Sequence, residues 1–303
     1  MTVTMSSYHN PVLLKESVDG LNIKENGIYV DVTFGGGGHS YEILKRLGID
    51  GKLLAFDQDD EALENTIDDA RFSLINENFR YLRQFLKFYG IQKVDGILAD
   101  FGVSSHQFDK AERGFSTRFD ADLDMRMSKR NELSAFDVVN SYEYDDLRKV
   151  LFRYGELRNA NAMSKTIVAE RERAPIKTTM RLKEVLQKFL PASKEHKIMA
   201  QIYQAIRIEV NQELTAIQEM LEQSIDLLET GGRLSLISYH SLEDRLVKNF
   251  IRAGKFEGDP EKDFYGNVDV PFRKVGKLIV PSKEEIALNN RARSAKLRVA
   301  ERV

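Results

Sequence analysis

The stretch that most constrains this chain is Ile28 to Ser40: a short apolar run, Ile28-Tyr29-Val30-Asp31-Val32, then Thr33-Phe34, four consecutive glycines and His39-Ser40. The run has the length and β-branched content of a buried strand. Glycine has no Cβ, so four of them let the backbone take φ > 0 and let a ligand approach the chain closely. Tyr41, Ile43, Leu44 and Leu47 follow at helical spacing, and the start of such a helix points unpaired N–H groups and a positive dipole end at the same turn. Strand, glycine turn and helix together outline a nucleotide-type pocket.

A second apolar run, Lys52-Leu53-Leu54-Ala55-Phe56, ends on Asp57. In a doubly wound α/β sheet an acid at that position accepts hydrogen bonds from ribose hydroxyls. The turn departs from the dinucleotide pattern, because after Gly35 and Gly37 the third glycine is replaced by Ser40. Nothing in it is tailored to a pyrophosphate. A cationic or neutral adenosine ligand such as S-adenosylmethionine fits at least as well as a nicotinamide dinucleotide.

Alternation continues, with strands expected over Phe72–Asn76 and Val94–Ala99 and helices over Glu61–Ala70 and Leu82–Tyr89. Phe79, just past the third strand, is the candidate to stack on a purine. The fourth strand runs out into Asp100-Phe101-Gly102-Val103-Ser104-Ser105, at the carboxyl edge where ligands and chemistry sit in a parallel sheet. A carboxylate there can accept a hydrogen from an amino group while Phe101 lies against a flat ring. An exocyclic amine delocalises its lone pair into the base, so such an acceptor favours the attacking geometry of amino methylation. The plainer alternative is that Asp100 caps the next turn. Upstream, His9, Asn10 and Pro11 either cover the ligand or cap the sheet.

After Gln107 the alternation stops, and helices and loops extend to about Ile208. Between Leu147 and Ile208 there are 14 Lys+Arg against 5 Asp+Glu, although the whole chain carries −2. That asymmetry points to a polyanion. A helix over Ile206–Leu228 then leads to a fifth strand, Arg233–Ser238, with His240 at its carboxyl end as the histidine placed to meet a substrate. His240 could donate to the base or take a proton, a task water also performs. Glu243, Asp244 and Arg245 are expected to pair structurally. Gly254–Gly276 reads as loop, with Phe264 and Tyr265 contacting the polyanion or packing. Leu278–Val280 and Lys296–Ala300 read as a closing strand pair around Asn289–Ser294.

Composition narrows the class. Hydrophobic residues make up 42% of 303, ample for a core, and the absence of cysteine removes disulfides, thiolate metal sites and cysteine nucleophiles. The five histidines are scattered, so no metal site is expected. With neither a signal-like apolar N-terminus nor a membrane-length span, the expectation is a cytoplasmic protein with no membrane contact.

Five separated motifs, in order, resemble the bacterial small-subunit ribosomal RNA cytosine-N4 methyltransferases of the RsmH (MraW) family. They are Gly35 to Ser40, Asp100 to Ser105, Arg113-Gly114-Phe115-Ser116, Leu123-Asp124-Met125-Arg126-Met127 and Ser238 to Arg245. The resemblance covers nearly the whole chain, from about His9 to Arg302. It implies an α/β fold: a Rossmann-like class I S-adenosylmethionine-dependent methyltransferase sheet with an inserted helical domain, in segments 1–112, 113–209 and 210–303. It further implies methylation of the amino group of one cytidine in the decoding region of 16S ribosomal RNA, within the 30S subunit, with a homodimer left open. Cofactor contacts carried over fall on Gly37, Gly38, His39, Asp57, Phe79, Asp100 and Gln107, with Gly35 added by its place in the turn. Asp100, Phe101, Ser104, Ser105 and His240 are the catalytic candidates. The insertion's basic residues Arg148, Lys149, Arg153, Arg158, Lys165, Arg171, Arg173, Lys177 and Arg181 are expected phosphate contacts. Arg113 and Arg126 would act from an ordered loop, and Arg291 and Arg293 from the late turn. The alternatives are a non-catalytic RNA-binding assembly factor and a DNA amino-methyltransferase, which the missing Asp-Pro-Pro-aromatic motif disfavours. A nicotinamide dehydrogenase ranks last.

Overall fold

The computed structural model describes residues 11–260, 264–265 and 268–303, so the roles considered for His9 and Asn10 lie outside the described residues. The chain divides into two compact units: the part up to Gly102 together with Leu214–Val303, and Val103–Glu213.

The first unit is built on seven strands: β1 Ile28–Asp31, β2 Lys52–Phe56, β3 Phe72–Ile75, β4 Val94–Asp100, β5 Leu228–Ser238, β6 Phe272–Ile279 and β7 Lys296–Arg302. They lie in the order β3-β2-β1-β4-β5-β7-β6. The first five are parallel, and β7 runs antiparallel to β5 and to β6. β1 to β5 are apolar on both faces because helices cover both. Val30, Leu54, Ile97, Leu234 and Leu236 pack with Met220, Leu221 and Phe250 in one cluster, and Tyr29, Leu53 and Leu98 pack with Ile43 and Leu44 in another.

The second unit is helical, with Ala135–Ser141, Tyr144–Arg153, Ala160–Arg171, Thr179–Leu186 and Glu195–Asn211 as its main elements. They share one core that includes Leu147, Leu151, Ile167, Leu182, Ile202 and Ile206. Its charge is close to balanced: Val103–Glu213 holds 20 Lys+Arg against 17 Asp+Glu. The basic window seen in the sequence is flanked by acids that belong to the same unit.

Three expected elements differ. Glu61–Ala70 is a 3₁₀ turn, Asp60–Asn65, capped by the Asp59 side chain and ended by extended backbone at Thr66. The closing strand starts at Phe272, well before the expected Leu278. Its Arg273, Lys274 and Lys277 are exposed on the outer edge of the sheet, and cations that protect an edge carry no apolar pattern. The helix expected over Ile206–Leu228 is two helices, Glu195–Asn211 and Glu213–Leu227, broken where Gln212 takes φ 49°.

Asn211 anchors the end of the first of these. Its Oδ1 accepts from the Met127 amide at 2.7 Å, while its Nδ2 donates to the Met125 carbonyl at 2.8 Å and the Arg207 carbonyl at 2.9 Å. Asn211→Ala removes these hydrogen bonds from the buried Met127 amide and Met125 carbonyl, which costs about 2–4 kcal/mol. A urea titration of the variant is expected to show that loss as a lower midpoint with an unchanged slope.

Candidate active site

The site grows from the turn after β1. Gly37 (φ 77°) precedes the helix Gly38–Arg46, and Gly35 (φ 51°) opens the turn. Both conformations favour glycine. A Cβ on Gly38 would fall 2.1 Å from Pro11 Cγ, whereas one on Gly35 would meet no atom within 4 Å. Gly38 is therefore required for packing, and Gly35 leaves a cradle that a ligand can enter.

Asp31, fully buried, ties this turn together. Its Oδ2 accepts from Ser40 Oγ at 2.8 Å and its Oδ1 from the Thr33 amide at 3.1 Å. Thr33 Oγ1 in turn accepts from the Asp100 amide at 2.7 Å. Asp57 holds the turn from β2, with Oδ2 accepting from the Gly35 amide at 2.8 Å and Oδ1 from the Asp59 amide at 2.9 Å. Sequence reasoning missed Asp31, Thr33 and Ser40 as a group. The available signal was an acid inside an otherwise apolar strand.

Asp100 closes β4, and its Oδ1 is buried with no hydrogen-bond partner. Burial pushes the carboxyls of Asp31, Asp57 and Asp100 up to about 6 each; Asp31 adds repulsion to the other two, while the nearby His39 eases the shift at Asp100. His39 is itself pushed down by burial, and its Nε2 lies 3.2 Å from the Val12 carbonyl. An edge carrying this much buried acid repels a pyrophosphate and suits a cationic ligand. The open Gly35 cradle fits S-adenosylmethionine, which Gly35, Gly37, Gly38, His39, Asp57 and Asp100 would hold. Phe79 begins a 3₁₀ turn after β3, its ring 6.2 Å from that of Phe101, and Phe101 is buried in the core beside it.

Several expected roles meet other duties. His240 is the N-cap of the helix Ser241–Ala253. Its Nδ1 accepts from the Glu243 amide at 3.4 Å, and its Nε2 lies 3.0 Å from Glu243 Oε1 without hydrogen-bond alignment. Both ring nitrogens thus lie beside Glu243. Asp244 pairs structurally with Arg298 and Lys296. Ser104 and Gln107 form the capping box of the helix Ser105–Asp109 in the second unit, so the Ser104 hydroxyl is taken up by the Gln107 amide. The side chain of Ser105 lies outside the described ones.

The basic residues separate in the same way. Arg113, 2% exposed, donates to the carbonyls of Arg126 and Met127. Arg126 pairs with Asp124 and donates to the Asn131 carbonyl, and Arg171 donates to the carbonyls of Val139 and Tyr142. These three arginines fold the second unit and are corrected from phosphate contacts to structural donors. Arg148, Lys149, Arg173 and Arg181 sit in surface ion pairs with Asp145, Asp146, Glu170 and Glu184. Arg153, Arg158, Lys165 and Lys177 are exposed. In the first unit Arg291 and Arg293 lie in the 3₁₀ turn Asn290–Ser294 just before β7, whose Lys296 pairs with Ser238, so this turn is at the carboxyl end of β5. Among the described residues no three His, Cys, Asp or Glu form a metal-binding group, and no helix is long and apolar enough to cross a membrane.

A parallel sheet closed by an antiparallel β7, with a glycine turn and acids at the ends of β1, β2 and β4, defines a Rossmann-like, S-adenosylmethionine-dependent methyltransferase. The profile of the MraW methylase family matches residues 6–303, and the chain belongs to that family. It is 67% identical to the ribosomal RNA small subunit methyltransferase H of Flavobacterium johnsoniae over 303 residues, 100% of both chains. It is 67% identical to the protein of the same name from Christiangramia forsetii, over 99% of each chain. With the one from Bacteroides thetaiotaomicron it shares 53% identity, over 98% of each.

Gly35→Ala places a methyl group in the cradle. The strained φ costs about 1 kcal/mol of stability, while S-adenosylmethionine affinity, measured by calorimetry, is expected to fall by roughly tenfold or more.

Proposed function

We propose that the chain transfers the methyl group of S-adenosylmethionine to the exocyclic N4 of one cytidine in the decoding region of 16S ribosomal RNA. The observation that carries this reading is Asp100 Oδ1, a buried acceptor without a partner at the carboxyl end of β4, in a chain akin to ribosomal RNA methyltransferases. A buried acceptor left unpaired is costly, and an N–H from the substrate supplies what it lacks. S-adenosylmethionine, when bound, supplies an electrophilic methyl on a cationic sulfur. By accepting one N–H, Asp100 orients the amine so that its nitrogen presents the lone pair in line. The cytosine must leave its stack to reach this edge. The methylated amine is strongly acidic, so its extra proton passes to water without a dedicated base.

In this reading Val103–Glu213 is the RNA-recognition unit, and Arg153, Arg158, Lys165 and Lys177, with Arg291 and Arg293 on the other unit, are the phosphate contacts. The assembled 30S subunit in the cytoplasm is the substrate, because a single cytidine of a long RNA is best singled out by its surroundings. A homodimer is compatible with the reading. The competing idea of a non-catalytic assembly factor is disfavoured by the retention of Asp31, Asp57 and Asp100 together with an unencumbered Gly35.

Labelled S-adenosylmethionine is incubated with 30S particles lacking the modification, and the RNA is digested to nucleosides. Label is expected in N4-methylcytidine, and Asp100→Asn is expected to lower transfer by about 10²–10³-fold with cofactor binding measured separately. Cofactor binding with no label in any RNA would favour the assembly factor. Because burial raises the Asp100 carboxyl to about 6, the acceptor is ionised above that pH, and transfer is expected to fall as pH drops through it.

A further inference from the structure

β2 and β3 are parallel neighbours with Phe56 in register with Ile75, so the turns that leave them run side by side at the carboxyl edge. Asp57 lies in the first turn. Phe79, half-buried with its ring 6.2 Å from that of Phe101, lies in the second. The Asp57 amide donates to the Ile75 carbonyl at 3.1 Å, and Asn76 Nδ2 donates to the Asp57 carbonyl at 3.1 Å. One step further out, Asn78 Nδ2 donates to Gln58 Oε1 at 2.9 Å. The Asn78 amide has its orientation set by its other end, because Oδ1 caps the turn Phe79–Tyr81 by accepting from the Arg80 amide at 2.9 Å. Its nitrogen is thereby turned to Gln58, which has to offer an oxygen. Beyond Phe79, Arg80 Nε donates to Glu219 Oε2 at 2.7 Å and the Arg80 carbonyl accepts from Gln223 Nε2 at 2.8 Å. Phe79 is thus held on one side by Gln58 through Asn78, and on the other by the helix Glu213–Leu227 through Arg80.

We propose that Gln58 and Asn78 are positioning residues for the adenosine half of S-adenosylmethionine: their amide pair fixes the spacing between Asp57, which takes the ribose hydroxyls, and the Phe79 ring, on which the adenine stacks. The proposal rests on the S-adenosylmethionine reading of this edge, with Phe79 as its purine contact, and names two residues that reading did not use. A half-buried ring that must be ordered as the ligand arrives spends part of the contact energy on its own ordering, so a brace formed beforehand preserves affinity. The strand ladder alone does not supply that brace, because β3 ends at Ile75, four residues before Phe79. Gln58 is the residue next to Asp57, so a bond from it to Asn78, the residue next to Phe79, joins the two contacts by the shortest side-chain route available. Gln58 and Asn78 act through Asp57 and Phe79 and take no part in bond making.

Gln58→Met removes the acceptor and keeps the length of the side chain. Asn78→Ser keeps an oxygen to cap the Arg80 amide and removes the amide donor. The affinity of the full chain for S-adenosylhomocysteine, measured by calorimetry, is expected to fall roughly fivefold in each variant and no further in the double variant, since both delete the same hydrogen bond. Phe79→Leu supplies the decisive background. There Gln58→Met is expected to change affinity by less than about twofold, because the ring through which the brace acts is gone. A merely structural role would lower affinity by the same factor with Phe79 or Leu at that position. That result, fully additive losses in the double variant, or undiminished affinity in both single variants would overturn the proposal. A parent protein that binds no S-adenosylhomocysteine would remove the cofactor reading and the proposal with it, whereas a binding parent with unaltered variants removes the proposal alone.

Discussion

The buried carboxylate of Asp31 is the interaction on which the catalytic edge depends. It joins the end of β1 to the start of the next helix through Ser40 and to the following turn through Thr33, and Thr33 carries the connection to the backbone of Asp100. An ionised group taken out of water is costly unless its lone pairs are filled. Here the filling groups are the parts whose relative placement the chemistry needs. Distortion of the glycine turn would unpair Asp31, so the energetic cost of the buried acid is also what keeps the turn in place.

A second constraint is repulsion among acids. Asp57 and Asp100 both feel Asp31, and Asp100 feels Glu243 as well. Each has its own relief: Asp57 in the amides of Gly35 and Asp59, Glu243 in those of Tyr239 and His240. At the end of β4 the Asp100 Oδ1 is buried and unmatched, whereas both Asp57 oxygens are satisfied by backbone amides.

The helical unit uses charge differently. Arg113 and Arg171 are consumed by carbonyl groups of their own unit, and Arg148, Lys149 and Arg173 share faces with acids one turn away. Such surface pairs contribute little to stability and exchange readily with other charges. A guanidinium with five donors serves buried carbonyl groups as well as it serves phosphate, so residue type in the sequence does not separate the two uses.

Much of the sheet was legible from the chain alone. Apolar runs, the glycines after β1 and the acids at the ends of β2 and β4 follow local rules of strand, turn and carboxyl edge, and these signals lie within a few residues of one another. The capping duties of His240 and Ser104 were not read from the chain because a polar side chain at a strand end or a helix start looks the same whether it faces a substrate or caps a helix; the glutamate and glutamine three positions on were the clue. The broken helix at Gln212 and the early start of β6 depend on a buried asparagine and on an exposed sheet edge, which only tertiary contacts create. The sequence by itself determined the family, the parallel core and the carboxylates available for chemistry, because apolar periodicity and motif order are properties of the chain. Tertiary structure decided that Asp100 Oδ1 is buried without a hydrogen-bond partner and which arginines are taken up by carbonyl groups of their own unit, because burial and hydrogen bonding between residues distant in sequence exist only after folding.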